Sequence, residues 1–159
     1  MKLVQRLLPF LVLSLLCASA QATTYPTKPL RLVVPFAAGG NTDIAARLLA
    51  QGLSTEFKQP VYVENKAGAG TAVGTEEVAR SLADGYTLLF TTVGLAVNPS
   101  LYKNLLYDAK RDFSPVAHVV TSSPVILMNP AVPATNLAEF LQHAKNNGPL
   151  AYGSAGVGS

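Results

Sequence analysis

The chain passes from a buried strand into a helix at residues 33–43, which read VVPFAAGGNTD. The run from Leu30 to Val34 is apolar apart from one arginine, a pattern typical of a strand covered on both faces. Pro35 ends this strand because it has no backbone N–H to donate to a neighbouring strand. Gly39 and Gly40 allow a sharp turn, and the unpaired N–H groups of the helix that follows attract anions. We therefore predict either a carboxylate or phosphate site at this turn or a plain strand-to-helix connection.

The strand-to-helix order repeats after this turn. Residues 42–57 carry apolar side chains at helical spacing, and Asn41 or Thr42 is suited to cap that helix. Residues 60–64 read as a second strand before a glycine-rich loop and a second helix, and residues 86–91 read as a third strand. Because parallel strands are joined by right-handed helical crossovers, this order predicts an α/β fold with a parallel sheet.

The alternation breaks in the last third of the chain. Residues 116–120 and 124–128 read as two strands whose connection is too short for a helical crossover. A helix is predicted over residues 136–147, with Thr135 as its cap, and a further strand over residues 150–153. The side chains expected on the inward face of this helix are Leu137, Phe140, Leu141 and Ala144.

We place a boundary between two lobes in the short connection between those two strands. The first α/β lobe is predicted over residues 23–121, and the start of a second α/β lobe over residues 122–159. The last strand leads into a glycine loop at residues 154–159 with no helix after it, so the second lobe has too few elements to close a core. We therefore expect the chain to be truncated in its second lobe.

Residues 1–22 have the composition of an export signal. Two basic residues precede an apolar core at residues 7–16, and Ala20-Gln21-Ala22 offers the small-x-small pattern of a signal peptidase site, with a second such pattern two residues earlier. The apolar core is too short to span a membrane. Leu16 is poorly suited to precede a lipid-bearing Cys17, so we expect cleavage near Ala22 without lipid attachment.

Composition argues against several functional classes. The chain has 12 Lys+Arg and 9 Asp+Glu, and two of the basic residues lie in the signal, so the exported part is close to neutral. No basic stripe with interleaved aromatic residues is present, which argues against a nucleic-acid partner. Cys17 is the only cysteine, so the exported part has neither disulfides nor thiolate metal sites.

No motif predicts catalysis. The glycine set at residues 68–74 has the spacing G-x-G-x-x-x-G, which departs from the dinucleotide fingerprint and favours a structural turn. Tyr152 stands where a nucleophile elbow around Ser154 would need glycine. His118 and His143 lack the spacing of a metal pair, and the carboxylates are scattered. We therefore predict no enzymatic activity, no cofactor and no metal.

The positive prediction is a cleft that binds an anion. Glycine loops follow strands in both predicted lobes, and residues 91–94 end the third strand, at the edge where α/β sheets bind ligands. Asp43 either favours the helix dipole or accepts a hydrogen bond from a ligand. The candidate ligand-binding residues are Phe36, Ala38, Gly39, Gly40, Thr42, Asp43, Thr92, Val93, Gly94, Ser154, Ala155 and Gly156.

A set of motifs, in order along the chain, resembles the Bug family, the extracytoplasmic solute receptors of tripartite tricarboxylate transporters. No single motif is specific, but the set covers residues 25–159. The motifs are YPTKPLRLVVPF at 25–36, GGNTD at 39–43, VENKAGAG at 63–70, DGYTLL at 84–89, NPSLY at 98–102 and YGSAG at 152–156.

The resemblance implies a two-domain, flytrap-type periplasmic binding protein, truncated here in its second domain. It implies a monomer that captures a small organic acid in the periplasm and delivers it to membrane permease subunits. By position, residues 36–43, 91–94 and 154–158 match the ligand-contact regions of the family. Family members are about twice as long, and Val157 stands where many relatives carry an asparagine.

Three hypotheses therefore stand. The leading one is an exported receptor, or its N-terminal portion, that binds an organic anion without chemistry. The second is a small α/β enzyme that uses the same loops for a phosphate-bearing cofactor. The third is a non-functional receptor fragment.

Overall fold

The computed structural model describes residues 25–123, 125–154 and 157. The predicted signal peptide over residues 1–22 lies outside the described residues. Within the described part, no helix is both long enough and apolar enough to cross a membrane.

Among the described residues, three parallel strands form one sheet in the order β2-β1-β3. They are β1 (Leu30–Val34), β2 (Val61–Asn65) and β3 (Thr87–Leu89). The register pairs Val34 with Asn65 and Val33 with Leu89. The predicted parallel α/β sheet is therefore confirmed, with the apolar strand β1 at its centre.

Four helices accompany these strands in the described part of the chain. They are α1 (Asn41–Phe57), α2 (Ala72–Ala79), which a short 3-10 turn precedes, α3 (Gly94–Leu101) and α4 (Leu137–Asn147). α1 and α2 form the crossovers between the strands. Residues 98–112 are expected from the sequence to form a short helical turn and a surface loop, and α3 supplies helix up to Leu101.

The two faces of β1 pack against different helices. Leu30, Leu32 and Val34 form a buried cluster with Ala46 and Ala50 of α1. On the opposite face, the guanidinium of Arg31 binds Glu64 of β2 at 3.1 Å and Glu77 of α2 at 2.7 Å. A charged residue is therefore tolerated in a central strand because both of its carboxylate partners lie beside it.

This arrangement places a topological switch point at the carboxyl ends of β1 and β3. β1 leads to β2 through α1 on one face, and β2 returns to β3 through α2 on the other face. The loops after β1 and β3 therefore diverge from neighbouring strand ends, and ligands of open α/β sheets bind at such a point. Two of the predicted ligand regions, residues 36–43 and 91–94, flank it.

The predicted cap of α1 is wrong. Gly40 occupies the N-cap with an extended backbone, and no side chain caps the helix. Asn41 is already the first helical residue, because the side chain of Asp43 fixes the preceding turn by accepting a hydrogen bond from Gly39 N.

The strands predicted at residues 116–120, 124–128 and 150–153 are not strands in the described part of the chain, and Pro124 lies outside it. Val116 is 86% exposed and Leu127 is 88% exposed. A strand needs a neighbour to accept its hydrogen bonds, and the described sheet offers these segments none.

The predicted last helix is present as α4, but its surroundings differ from the prediction. Asn136, not Thr135, is the cap and accepts from Glu139 N, while Thr135 donates to the Glu139 carboxylate. No residue of α4 is buried, and Leu137 and Leu141 of its expected inward face are 57% and 50% exposed. The division into lobes at residues 121–122 stays a prediction.

Candidate ligand-binding site

The buried carboxylate of Asp43 holds the loop between β1 and α1. Its side chain is 4% exposed, and Oδ2 accepts hydrogen bonds from Gly39 N at 2.8 Å and Arg47 Nε at 2.9 Å. Oδ1 accepts from Asn65 Nδ2 at 2.9 Å. The Arg47 bond, then the Gly39 and Asn65 bonds, lower the pKa of Asp43 to about 2, so the carboxylate is charged at neutral pH.

Asn65 and Arg47 complete a ring of hydrogen bonds around this carboxylate. The Asn65 amide also donates to Phe36 O at 3.1 Å, and Arg47 Nη2 donates to Asn65 Oδ1 at 3.1 Å. Asn65 is the last residue of β2 and pairs in register with Val34. The ring therefore ties together the end of β1, the first turn of α1 and the end of β2.

Sequence reasoning missed both Asn65 and Arg47. Two signals could have found them. Asp43 and Arg47 stand at the i,i+4 spacing of a helical ion pair. Asn65 is a polar residue where a predicted strand ends, beside the strand end that was already singled out.

The first turn of α1 is open. Gly39 has a φ of +86°, which turns the loop sharply, and residues Ala38 to Asn41 are exposed. No side chain caps α1, so the amides of its first turn, including Thr42 N, have no capping partner. Such a group of donors suits a carboxylate or phosphate oxygen.

The predicted residues after β3 lie at a second helix start. Phe90 N still donates to Val33 O at 2.9 Å, so pairing with β1 continues to this point. Thr92 and Val93 are exposed just before α3, and Gly94 is its buried first residue. Topology therefore brings this junction to the same edge as the β1–α1 loop.

The third predicted region is described only in part. Ala155 and Gly156 lie outside the described residues, and Ser154 is exposed. Val157 O accepts a hydrogen bond from Tyr102 OH at 2.9 Å, next to Gly70 in the loop after β2. The end of the described chain thus lies against the loop after β2. We expected the glycine loops of the two predicted lobes to face each other across a cleft, and this arrangement stays a prediction.

A buried amide holds the loop after β2. Asn98 of α3 is fully buried, and its Nδ2 donates to Gly70 O at 2.8 Å and to Thr71 Oγ1 at 3.0 Å. Gly70 and Thr71 both have positive φ values, +56° and +80°. Asn98 therefore stabilises the turn that directs the chain into α2, and the glycine set at residues 68–74 is part of this turn.

The described residues contain no cluster of three or more His, Cys, Asp or Glu side chains that could hold a metal ion. The geometry at the sheet edge consists of backbone donors and a carboxylate whose charge is balanced by Arg47, an arrangement suited to holding an anion.

Comparison with known proteins agrees with this geometry. Residues 45–159 match the family described as the tripartite tricarboxylate transporter family receptor, TctC. A UPF0065 protein of Bordetella pertussis is 42% identical over 94% of this chain and 46% of its own length. Protein BugT of the same organism is 38% identical over 94% of this chain and 47% of its own length. The chain therefore spans about half the length of the curated relatives it matches.

Solved structures give the same result for the fold. A periplasmic transporter is 48% identical with a TM-score of 0.75, covering 78% of this chain and 42% of its own. MatC of Rhodopseudomonas palustris, solved with bound malate, is 36% identical with a TM-score of 0.67, over 77% of this chain and 42% of its own. A second protein of that organism, solved with adipate, is 32% identical with a TM-score of 0.65, covering 77% of this chain and 41% of its own.

The predicted periplasmic-binding-protein-like α/β fold is thus confirmed, as is the resemblance to the Bug receptors. Since the family match covers most of the chain, this protein belongs to the tripartite tricarboxylate transporter receptor family.

Proposed function

We propose that the chain is the N-terminal part of an extracytoplasmic receptor that binds a small organic anion for a tripartite tricarboxylate-type transporter. The observation that carries the proposal is the uncapped start of α1 at the sheet edge, in a chain of this receptor family. Backbone donors at a helix start bind a carboxylate without supplying any chemistry. The proposed function is therefore capture, not catalysis.

The proposed ligand class is a small carboxylate. Malate and adipate, found in two structures similar to this chain, are both dicarboxylates. The proposed contacts are the loop over residues 36–43 and the junction over residues 92–94, with residues 154–156 closing the site from the other side. Asp43 takes part by shaping the loop, because both of its oxygens have partners within the chain.

The proposed location is the periplasm, after cleavage near Ala22, and the proposed partners are the permease subunits of the transporter. The family match and the composition of residues 1–22, which is that of an export signal, support this proposal. We propose that the receptor acts as a monomer.

A second candidate, a fragment without binding activity, is favoured by one observation. Apolar side chains at residues 116–120 and 125–127 and along α4 are exposed, among them Ile126 at 70% and Leu127 at 88%. A receptor lobe would cover such side chains. The chain alone, with these side chains in water, is then expected to aggregate or to fold only in its first lobe.

A thermal-shift experiment on the full chain tests the proposal. Malate, adipate, succinate and citrate are added separately, with the dimethyl ester of malate as the uncharged control and ATP and NADH to test the enzyme hypothesis. Saturation at about 100 times the Kd stabilises a protein by about 2.7 kcal/mol, which raises Tm by several degrees.

The expected result is a rise in Tm with at least one acid and none with the ester. A cooperative transition that no acid moves would refute anion capture. A shift with ATP or NADH alone would support the cofactor-binding alternative, and the lack of a cooperative transition would support the fragment.

A further inference from the structure

We propose that Asp43, Arg47 and Asn65 form a neutral positioning unit, which orders the β1–α1 loop before a ligand arrives and cancels the negative charge beneath the bound anion. The inference rests on the proposed function and deepens it, since it assigns roles to two residues, Arg47 and Asn65, that are not themselves ligand contacts.

The first step is geometric. The three side chains come from α1 and β2, and together they bond to two backbone groups of the loop, Gly39 N at 2.8 Å and Phe36 O at 3.1 Å. Each of these loop residues is thus attached to a regular element at a fixed distance. A loop held at both ends does not have to be ordered when a ligand binds, so the entropic cost of binding is lower.

The second step concerns which donors remain. Gly39 N already donates to Asp43 Oδ2, so an arriving anion is received by the first-turn amides beyond it, such as that of Thr42. Asp43 therefore acts as an internal anion that shapes the loop. Its burial, with the residue 2% exposed, keeps it from direct contact with a solute.

The third step is electrostatic. A carboxylate in the first turn of α1 repels a second anion at the same helix start, and the repulsion grows with the charge on the ligand. The guanidinium of Arg47 lies 2.9 Å from that carboxylate and cancels its charge locally. Removal of the guanidinium charge should therefore weaken the binding of a dianion more than the binding of a monoanion.

The chain offers a matched control on another helix. Glu76 of α2 and Arg80, the C-cap of that helix, form an ion pair with the same i,i+4 spacing, at 2.7 Å. The Arg80 side chain is 63% exposed and that of Arg47 is 54% exposed. Arg80→Gln removes the same charge from an equally accessible position without touching the loop.

The binding experiment uses the full chain, with malate as the dianion and lactate as the monoanion, titrated by calorimetry at pH 7 and low salt. We expect Arg47→Gln to raise the Kd for malate by about 10-fold and that for lactate by about 3-fold, because the logarithm of the effect scales with ligand charge. Arg47→Lys keeps the charge and should leave the ratio of the two Kd values unchanged. Arg80→Gln should change neither Kd by more than about 2-fold.

The loop itself is measured without any ligand, by amide hydrogen exchange at Gly39. We expect Gly39 N–H to be protected in the wild-type chain and to exchange at least about 10-fold faster in Asn65→Ala and Arg47→Gln, but not in Arg80→Gln. Unchanged Gly39 exchange in the first two variants would overturn the ordering role.

The outcomes separate the two proposals. Suppose that the wild-type chain binds both acids and that Arg47→Gln raises the Kd for malate and the Kd for lactate by the same factor. That result would overturn the charge-cancelling role, while anion capture would stand. A folded wild-type chain that binds neither acid would overturn anion capture and the charge-cancelling role together. In that case the exchange at Gly39 still supports or overturns the ordering of the loop.

Discussion

Replacement of Gly74 by alanine should destabilise this protein, although alanine is the better helix former. Gly74 is buried in α2, and a Cβ atom there would lie 2.8 Å from Lys66 O and 2.9 Å from Pro35 Cβ. Both neighbours belong to the backbone or to a rigid ring at the point where the chain leaves β2 and β1. Neither can move without shifting the loop that follows its strand.

The magnitude follows from two opposing effects. Overpacking against rigid neighbours costs about 1–3 kcal/mol. The gain in helix propensity from glycine to alanine is about 1 kcal/mol. We therefore expect Gly74→Ala to lower the free energy of unfolding by up to about 2 kcal/mol, which lowers Tm by several degrees in a domain of this size.

At Gly52, the same substitution by alanine should change the free energy of unfolding in the opposite direction. It lies inside α1, is exposed, and an added Cβ would meet nothing within 4 Å. Gly52→Ala should therefore stabilise the chain by up to about 1 kcal/mol. Urea unfolding followed by circular dichroism measures both variants, and a Gly74→Ala chain as stable as Gly52→Ala would refute the claim that α2 closely contacts the strand ends.

Two further predictions concern buried polar groups. The pKa of Asp43 is lowered to about 2 from 3.8, so its contribution to stability is complete above about pH 4 and is lost as the pH falls towards 2. Urea titrations from pH 6 to 2 should show this loss in the wild type and a smaller one in Asp43→Asn. Asn98→Ala should lower the free energy of unfolding by about 1–3 kcal/mol, because Gly70 O and Thr71 Oγ1 lose a buried donor. Thermal unfolding of the Asn98→Ala chain measures this loss of stability, and an unchanged Tm would contradict the prediction.

The strands and helices up to β3 were predictable because their signals are local. The apolar run of β1 and the proline after it end the strand at Val34, as predicted. Helical spacing placed α1 to within one residue of its observed start at Asn41. The parallel sheet followed from the order of these elements, and the strand order adds that the loops after β1 and β3 are neighbours.

The segment after residue 115 was less predictable because the formation of a strand there would depend on partners distant in sequence. An apolar run such as residues 116–120 predicts a strand only if another strand pairs with it, and the described sheet provides none. The helix α4 could still be placed, since its bonds are local and Asn136 caps it through Glu139 N. Its apolar face could not be assigned a neighbour for the same reason.

The ring around Asp43 was missed for a different reason. The sequence shows Asp43 in the first helical turn, where an acid is favourable whether or not it has other partners. The register of β1 and β2, which pairs Val34 with Asn65, brings the Asn65 amide beside that carboxylate. Side-chain networks between strands become visible once the register is known.

If the proposed function holds, backbone donors at a helix start would allow one half of a receptor to accept different acids. The chain resembles MatC with malate and a second protein with adipate to a similar degree, with TM-scores of 0.67 and 0.65. Malate and adipate share terminal carboxylates but differ in length and in a hydroxyl group. Amides at a helix start read a carboxylate and not what is attached to it. Under the function proposed above, this loop sets the class of ligand, and discrimination within the class depends on side chains that meet the rest of the ligand.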